Sequence, residues 1–151
     1  MASEVDEFLA DVLPKQVAAE TAIHNGDAEP RLALWSRADP VTLFGARDSG
    51  TGWTELDPIF RTVASWFSEA TEYDFEVVAA GASGDLAYTV GYEHNRVTVD
   101  GVPRTYTLRV THVYRREDGQ WRIVHRHGDV PPAADQPIAF PATATAESAS
   151  R

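Results

Sequence analysis

The chain has 151 residues, a formal net charge of -10 and no cysteine. That length suits one domain with a core large enough to need no covalent staples, and the missing cysteine excludes disulfides, thiolate metal sites and a cysteine nucleophile. An acidic chain repels phosphate backbones, so nucleic acid is not an expected partner. No apolar run approaches the roughly 18–20 residues that cross a bilayer, so no membrane partner is expected either.

Met1-Ala2-Ser3-Glu4 shows neither the basic nor the apolar region of a signal peptide, and the expectation is a cytoplasmic protein. Ser3-Glu4-Val5-Asp6 has the form of a capping box. Behind it Val5, Phe8, Leu9, Val12, Leu13, Val17 and Ile23 recur at helical spacing, with Pro14 as a point of kinking or division. Asn25-Gly26 stops this helix, and Asp27 caps a second one carrying Leu32, Leu34 and Trp35. Asp39-Pro40 ends that helix, Val41-Thr42-Leu43-Phe44 reads as a short strand, and residues 45–52 read as a glycine-rich loop. Thr54-Glu55-Leu56-Asp57 opens a third helix, whose apolar stripe is Leu56, Ile59, Phe60, Val63, Trp66 and Phe67.

From Tyr73 onward the period changes to two. Strands are predicted over 73–80, 86–99, 104–116 and 121–130, with turns at Ser83-Gly84-Asp85, Asp100-Gly101 and Glu117-Asp118-Gly119. Helices followed by a meander of long strands predict an α+β domain over residues 1–130. Residues 131–151, rich in Pro, Ala, Ser and Thr, read as a flexible tail.

This order of elements resembles the nuclear-transport-factor-2-like superfamily, in its SnoaL-like and ketosteroid-isomerase-like branch. The residues carrying the resemblance are His24-Asn25-Gly26-Asp27, Asp39-Pro40-Val41-Thr42-Leu43-Phe44 and the run from Arg109 to His127. That last run is also similar to the end of the calcium/calmodulin-dependent kinase II association domain. The resemblance implies a cone: a curved antiparallel sheet with the N-terminal helices packed in its concave face, often dimeric through the back of the sheet. It implies no single activity, because the fold hosts isomerases, dehydratases, cyclases, hydrolases, transport factors and oligomerisation domains.

Strand parity sorts the candidates. Tyr106, Leu108, Val110, His112 and Tyr114 share the core-facing side of the third long strand, and Leu86, Tyr88, Val90 and Tyr92 read as the matching face of the strand before it. The last strand depends on its hairpin. A two-residue Asp118-Gly119 loop turns Ile123 and His125 inward, whereas a three-residue Glu117-Asp118-Gly119 loop turns Val124 and Arg126 inward. The resemblance favours the longer loop, which sends Trp121, Ile123, His125 and His127 outward. An outer face that apolar needs cover, which predicts a homodimer through it.

His112, polar in mid-strand among apolar neighbours, is the candidate catalytic group. The resemblance places it where the ketosteroid isomerase has an oxyanion-hole acid, and a neutral imidazole there can donate a hydrogen bond or act as acid–base. The alternative is a core histidine satisfied by Tyr88 or Tyr92. The isomerase's tyrosine and carboxylate base fall on Ala19 and Gly45, so steroid isomerisation by those residues is not expected. Arg126, if inward, needs an anionic ligand or a carboxylate such as Glu93 or Glu20. Tyr88, Tyr92, Val110, Tyr114, Trp35 and Phe60 complete the expected ligand contacts. His125, His127 and Asp129 share one face at chelating spacing, yet the association domain has the same histidine pair without a metal role, so no metal is expected. No phosphate loop, dinucleotide fingerprint or nucleophile elbow is present, and no cofactor is expected. The reading is a pocket for an amphipathic or aromatic small molecule, with acid–base chemistry of isomerase, cyclase or dehydratase type. The competing reading is an association module with a vestigial pocket.

Overall fold

Ser3 opens the first helix as its sequence demands. Its side chain accepts the Asp6 backbone N–H at 3.2 Å, and the Asp6 carboxylate accepts the Ser3 N–H in return. In the computed structural model, which describes residues 2–132, helix α1 runs over Glu4–Ile23 and Pro14 does not divide it. Pro14 is exposed, so water can take the carbonyl it leaves unpaired. Helix α2 (Glu29–Leu34) and strand β1 (Thr42–Phe44) follow, then β2 (Ser49–Thr51), helix α3 (Trp53–Ser65) and four strands: β3 (Phe67–Ser83), β4 (Leu86–Val99), β5 (Val102–Glu117) and β6 (Gln120–Asp129). The expected tail lies almost wholly outside the described residues.

The six strands form one sheet in the order β2-β1-β6-β5-β4-β3. Its pairs are antiparallel except β1 with β6, which is parallel. Phe8, Val12 and Ile23 of α1, Leu32 of α2, and Leu56 and Phe60 of α3 share one core with Ala87, Tyr114 and Ile123 of the sheet. The α+β fold expected from the sequence is the one observed. Some boundaries move. The expected loop 45–52 contains β2, and α3 starts one residue ahead of Thr54, after Gly52 at φ 80°. Phe67, read as helical, already opens β3.

Two facings differ from expectation. On β4 the inward side is Ala87, Thr89, Gly91, Glu93, Asn95 and Val97, all buried, so Leu86, Tyr88, Val90 and Tyr92 face outward. The two-residue turn at Asp100-Gly101 causes this. It pairs Val99 with Val102, which sets Glu93 opposite Leu108 and Thr89 opposite His112; residues directly opposed share a face. On β6 the hairpin loop has two residues, because Glu117 pairs with Gln120, and Asp118 and Gly119 take φ 50° and 78° as a tight primed turn requires. Yet Arg126 is inward. The ladder shifts between Tyr114↔Ile123 and Val113↔His125, leaving Val124 as a bulge. Ile123 lies inward before the bulge and Arg126 after it, while His125 and His127 stay outward. Trp121 also turns inward, with its ring 5.1 Å from Phe8. Ile123 and Trp121 therefore do not form the outer apolar face expected of them. That face instead exposes Phe44, Val78, Leu86 and Tyr88.

The concave bend leaves no room beside β3 at Gly91. A Cβ there would stand 2.2 Å from the Glu76 carbonyl oxygen and 2.9 Å from the Phe75 ring. Gly91→Ala is expected to cost about 1–3 kcal/mol through overpacking, read from urea unfolding. A change below about 0.5 kcal/mol, the usual range of neutral surface substitutions, would mean that β3 and β4 are not packed this closely.

Candidate functional site

The cone encloses a cavity of about 450 Å³. Its apolar wall comes from Ile59, Phe60 and Val63 of α3, with Trp66, Phe67 and Leu108. Its polar floor is His24, Arg31, Glu93, Tyr106 and Arg126, and the exposed Arg47, Asp48 and Asp100 mark the open side. Gly128 of β6 also lines it; a Cβ there would come within 3.3 Å of the Arg126 guanidinium, so the missing side chain leaves that group its room.

Both floor arginines are paired. Arg126 donates from its two terminal nitrogens to Glu93 Oε2 at 2.9 Å and Oε1 at 2.8 Å. Arg31 forms a second two-pronged pair with Glu20 of α1, its Nε donating at 2.9 Å. Burial pushes the Glu93 carboxyl up, but the charge and hydrogen bonds of Arg126 outweigh it and hold the group at about 2. Tyr73 also donates to Glu93 Oε2, at 2.8 Å, and receives the Gln16 side-chain N–H at 2.9 Å. Arg126 further donates to His112 Nε2 at 3.1 Å. Since a guanidinium only donates, the neutral His112 carries its proton on Nδ1, which is buried without a partner. Burial, seconded by the Arg126 charge, lowers the His112 pKa well below its ordinary value.

The other histidine on the floor is set up differently. His24, the C-cap of α1, is 2.6 Å through Nδ1 from the Glu20 carbonyl oxygen. A carbonyl only accepts, so Nδ1 carries the proton. Nε2 then presents its lone pair to the Tyr106 hydroxyl, which donates to it. Burial lowers the His24 pKa against the pull of the Glu20 carboxylate, which keeps the ring neutral. Burial also raises the Tyr106 pKa, so at rest the proton stays on the phenol, and the imidazole lone pair lies ready to accept it when the phenol itself takes a proton.

Of the residues singled out in the sequence, Arg126 and Phe60 line the cavity. His112 does not: it sits behind Arg126 at 1 % exposure and touches the cavity only through that arginine. Val110 and Tyr114 share its concave face, Tyr114 packed on Phe8, and Trp35 is core against Phe60. Tyr88 and Tyr92 lie on the outer face; Tyr92 lines a shallow groove there with Arg109 and His127. Asp129, read as a chelating neighbour of the histidines, is bound by Arg109 through two hydrogen bonds of 2.7 Å. Among the described residues no group of three or more His, Cys, Asp or Glu could hold a metal. His24 and Arg31 are floor residues that sequence reasoning missed, and Tyr106, placed on the core-facing side of its strand, was not counted among the ligand contacts. One available signal was Gln16 and Glu20, polar residues one turn apart on the buried stripe of α1.

The buried pair generates two linked expectations. Glu93→Gln leaves Arg126 charged and uncompensated, and is expected to cost about 3–5 kcal/mol in urea unfolding. The carboxyl is held below its unfolded value of about 4.5, so its stabilisation is fully present above that pH. It is lost as pH falls from about 4.5 towards 2. The wild-type stability should fall through that window more steeply than that of Glu93→Gln. Equal slopes would mean that Glu93 is not ionised against Arg126.

Residues 17–133 match the SnoaL-like domain family. Among solved structures of the same fold is a nuclear transport factor 2-like superfamily protein from Salmonella enterica serovar Typhimurium, 21% identical, with a TM-score of 0.66 over 83% of this chain and 96% of that one. A ketosteroid isomerase-like protein from Erwinia carotovora atroseptica is 19% identical, with a TM-score of 0.68 over 85% of this chain and 99% of that one. A protein provisionally named a dehydratase, from Streptomyces avermitilis, is 18% identical with the same score and coverage. At these identities the neighbours speak for the fold alone. No curated protein matches the chain. The match across 17–133 and the cone itself make this chain a member of the SnoaL-like domain family.

Proposed function

We propose that the cone binds a small molecule with an apolar or aromatic body and a polar head, and carries out a cofactor-independent acid–base step on it, of isomerase, cyclase or dehydratase type. The observation that carries this reading is the division of one cavity of about 450 Å³ into an aromatic and aliphatic wall and a floor of buried polar groups, the usual make-up of a small-molecule site. The names of two fold neighbours, one isomerase-like and one provisionally a dehydratase, agree with it. The proton-accepting group in this reading is His24 acting through Tyr106, in place of His112. Arg126 and Arg31 already face carboxylates, so the floor is charge-balanced and suits a neutral head better than an anionic one.

Calorimetric titration with 2-naphthol, a flat probe with an aromatic body and a polar end, tests the pocket. Val63→Phe, which adds bulk to the apolar wall, should weaken binding by about tenfold or more, the equivalent of about 1.4 kcal/mol, with the melting temperature little changed. Unchanged affinity in that variant, or no binding by the wild type, would overturn the reading.

Exposure of Phe44, Val78, Leu86 and Tyr88 on the convex side favours a second role in assembly. We carry it as a homodimer through the outer sheet face, and the cytoplasm as the place of action. A dimer seen by sedimentation at tens of micromolar, well above the dissociation constant of a stable dimer, that dissociates in Phe44→Lys is the expected result. A monomer throughout would remove the association reading.

A further inference from the structure

We infer that the cavity selects a ligand whose head group carries a hydrogen-bond donor, an enol, phenol or alcohol O–H, and that the Tyr106 oxygen receives it while His24 serves as the positioning residue. The inference deepens the pocket reading above and rests on it.

The donors and acceptors of the floor are almost all committed to one another. Arg31 and Arg126 can only donate. Both Glu93 oxygens already accept, Oε1 from Arg126 and Oε2 from Arg126 and Tyr73, and the lone pair left on Oε1 is out of an occupant's reach because the side chain is fully buried. Glu20 is taken by Arg31. The Glu20 carbonyl holds the proton of His24 on Nδ1, and the Nε2 lone pair is spent on the Tyr106 hydroxyl hydrogen. Among the described side chains of the floor this leaves one uncommitted acceptor, the Tyr106 oxygen, whose own hydrogen is turned away. Tyr106 lines the cavity and is only partly buried, so its remaining lone pair is open to an occupant. A hydroxyl is ordinarily ambiguous, donating or accepting as it rotates. Here the fixed tautomer of His24 removes the ambiguity. An ether or a bare carbonyl reaching Tyr106 would meet a lone pair facing a lone pair.

The test compares 2-naphthol with 2-methoxynaphthalene, which has the same ring system and no O–H. The wild type should bind the naphthol about 3–10-fold more tightly, the equivalent of one net hydrogen bond. Tyr106→Phe should abolish that preference while leaving the affinity for 2-methoxynaphthalene in place. His24→Phe should free the Tyr106 hydroxyl to donate, so the ether gains affinity and the preference shrinks. A merely structural role for His24 would weaken both probes alike. Equal binding of the two probes by the wild type, or a preference that survives Tyr106→Phe, overturns the inference and leaves the pocket standing. Binding of neither overturns both.

Discussion

An arginine cannot be buried without a carboxylate to meet it, and Arg126 beneath the cavity draws most of the molecule into that requirement. Glu93 answers it from β4, two strands away, with β5 between them. Tyr73 of β3 and Gln16 of α1 continue the chain of hydrogen bonds, and His112 of β5 closes it on the other side. One helix and four strands are thus fixed relative to one another by a single polar network. A slip of one residue in β4 or β6 would carry the carboxylate or the guanidinium to the outer face. Such a pair adds little net stability over an apolar replacement, but a misregistered sheet that strands either charge is penalised heavily. Its contribution is to the uniqueness of the fold as much as to its depth.

The bulge at Val124 makes this arrangement compatible with a packed core. Ile123 and Arg126 are an odd number of positions apart, so a regular strand would place them on opposite faces. Ile123 is wanted in the core beside Tyr114, and Arg126 is wanted under the cavity. One extra residue lets β6 serve the core at its beginning and the site at its end.

The helices, the meander and the facing of β5 were legible in the sequence because each has a local cause: the capping box at Ser3, the stripe of α3, the alternation from Tyr106 to Tyr114. The facing of β4 was legible too, though not from hydrophobicity. Once Asp100-Gly101 is a two-residue turn, the inward set of β5 dictates Glu93, Gly91 and Thr89 as its partners, and the apolar run Leu86, Tyr88, Val90 and Tyr92 must lie outside. Register overrode pattern, and taking the pattern instead put Tyr88 and Tyr92 in the pocket. The facing of β6 could not be settled by choosing a loop length, since each option describes half of the strand. The floor residues His24 and Tyr106 are 82 positions apart. Only the closing of the helix end over the mouth of the sheet brings them together, and no spacing in the sequence records it.

The concave face also shows what the site costs the fold. His112 Nδ1, Thr89 Oγ1 and the Tyr114 hydroxyl are buried there without partners, and each such group forfeits about 1–3 kcal/mol relative to a satisfied one. A strand interior chosen for stability would carry valine or leucine at Thr89 and His112. The polar residues line up instead behind Arg126, where His112 takes a second hydrogen bond from the same guanidinium nitrogen that donates to Glu93. Local rules are broken most densely beneath the cavity floor, which is where a protein built around that cavity is expected to break them. The departure of His112 from the apolar pattern therefore does point to the site. It marks the layer supporting the floor, and the groups able to meet a ligand are one step further in.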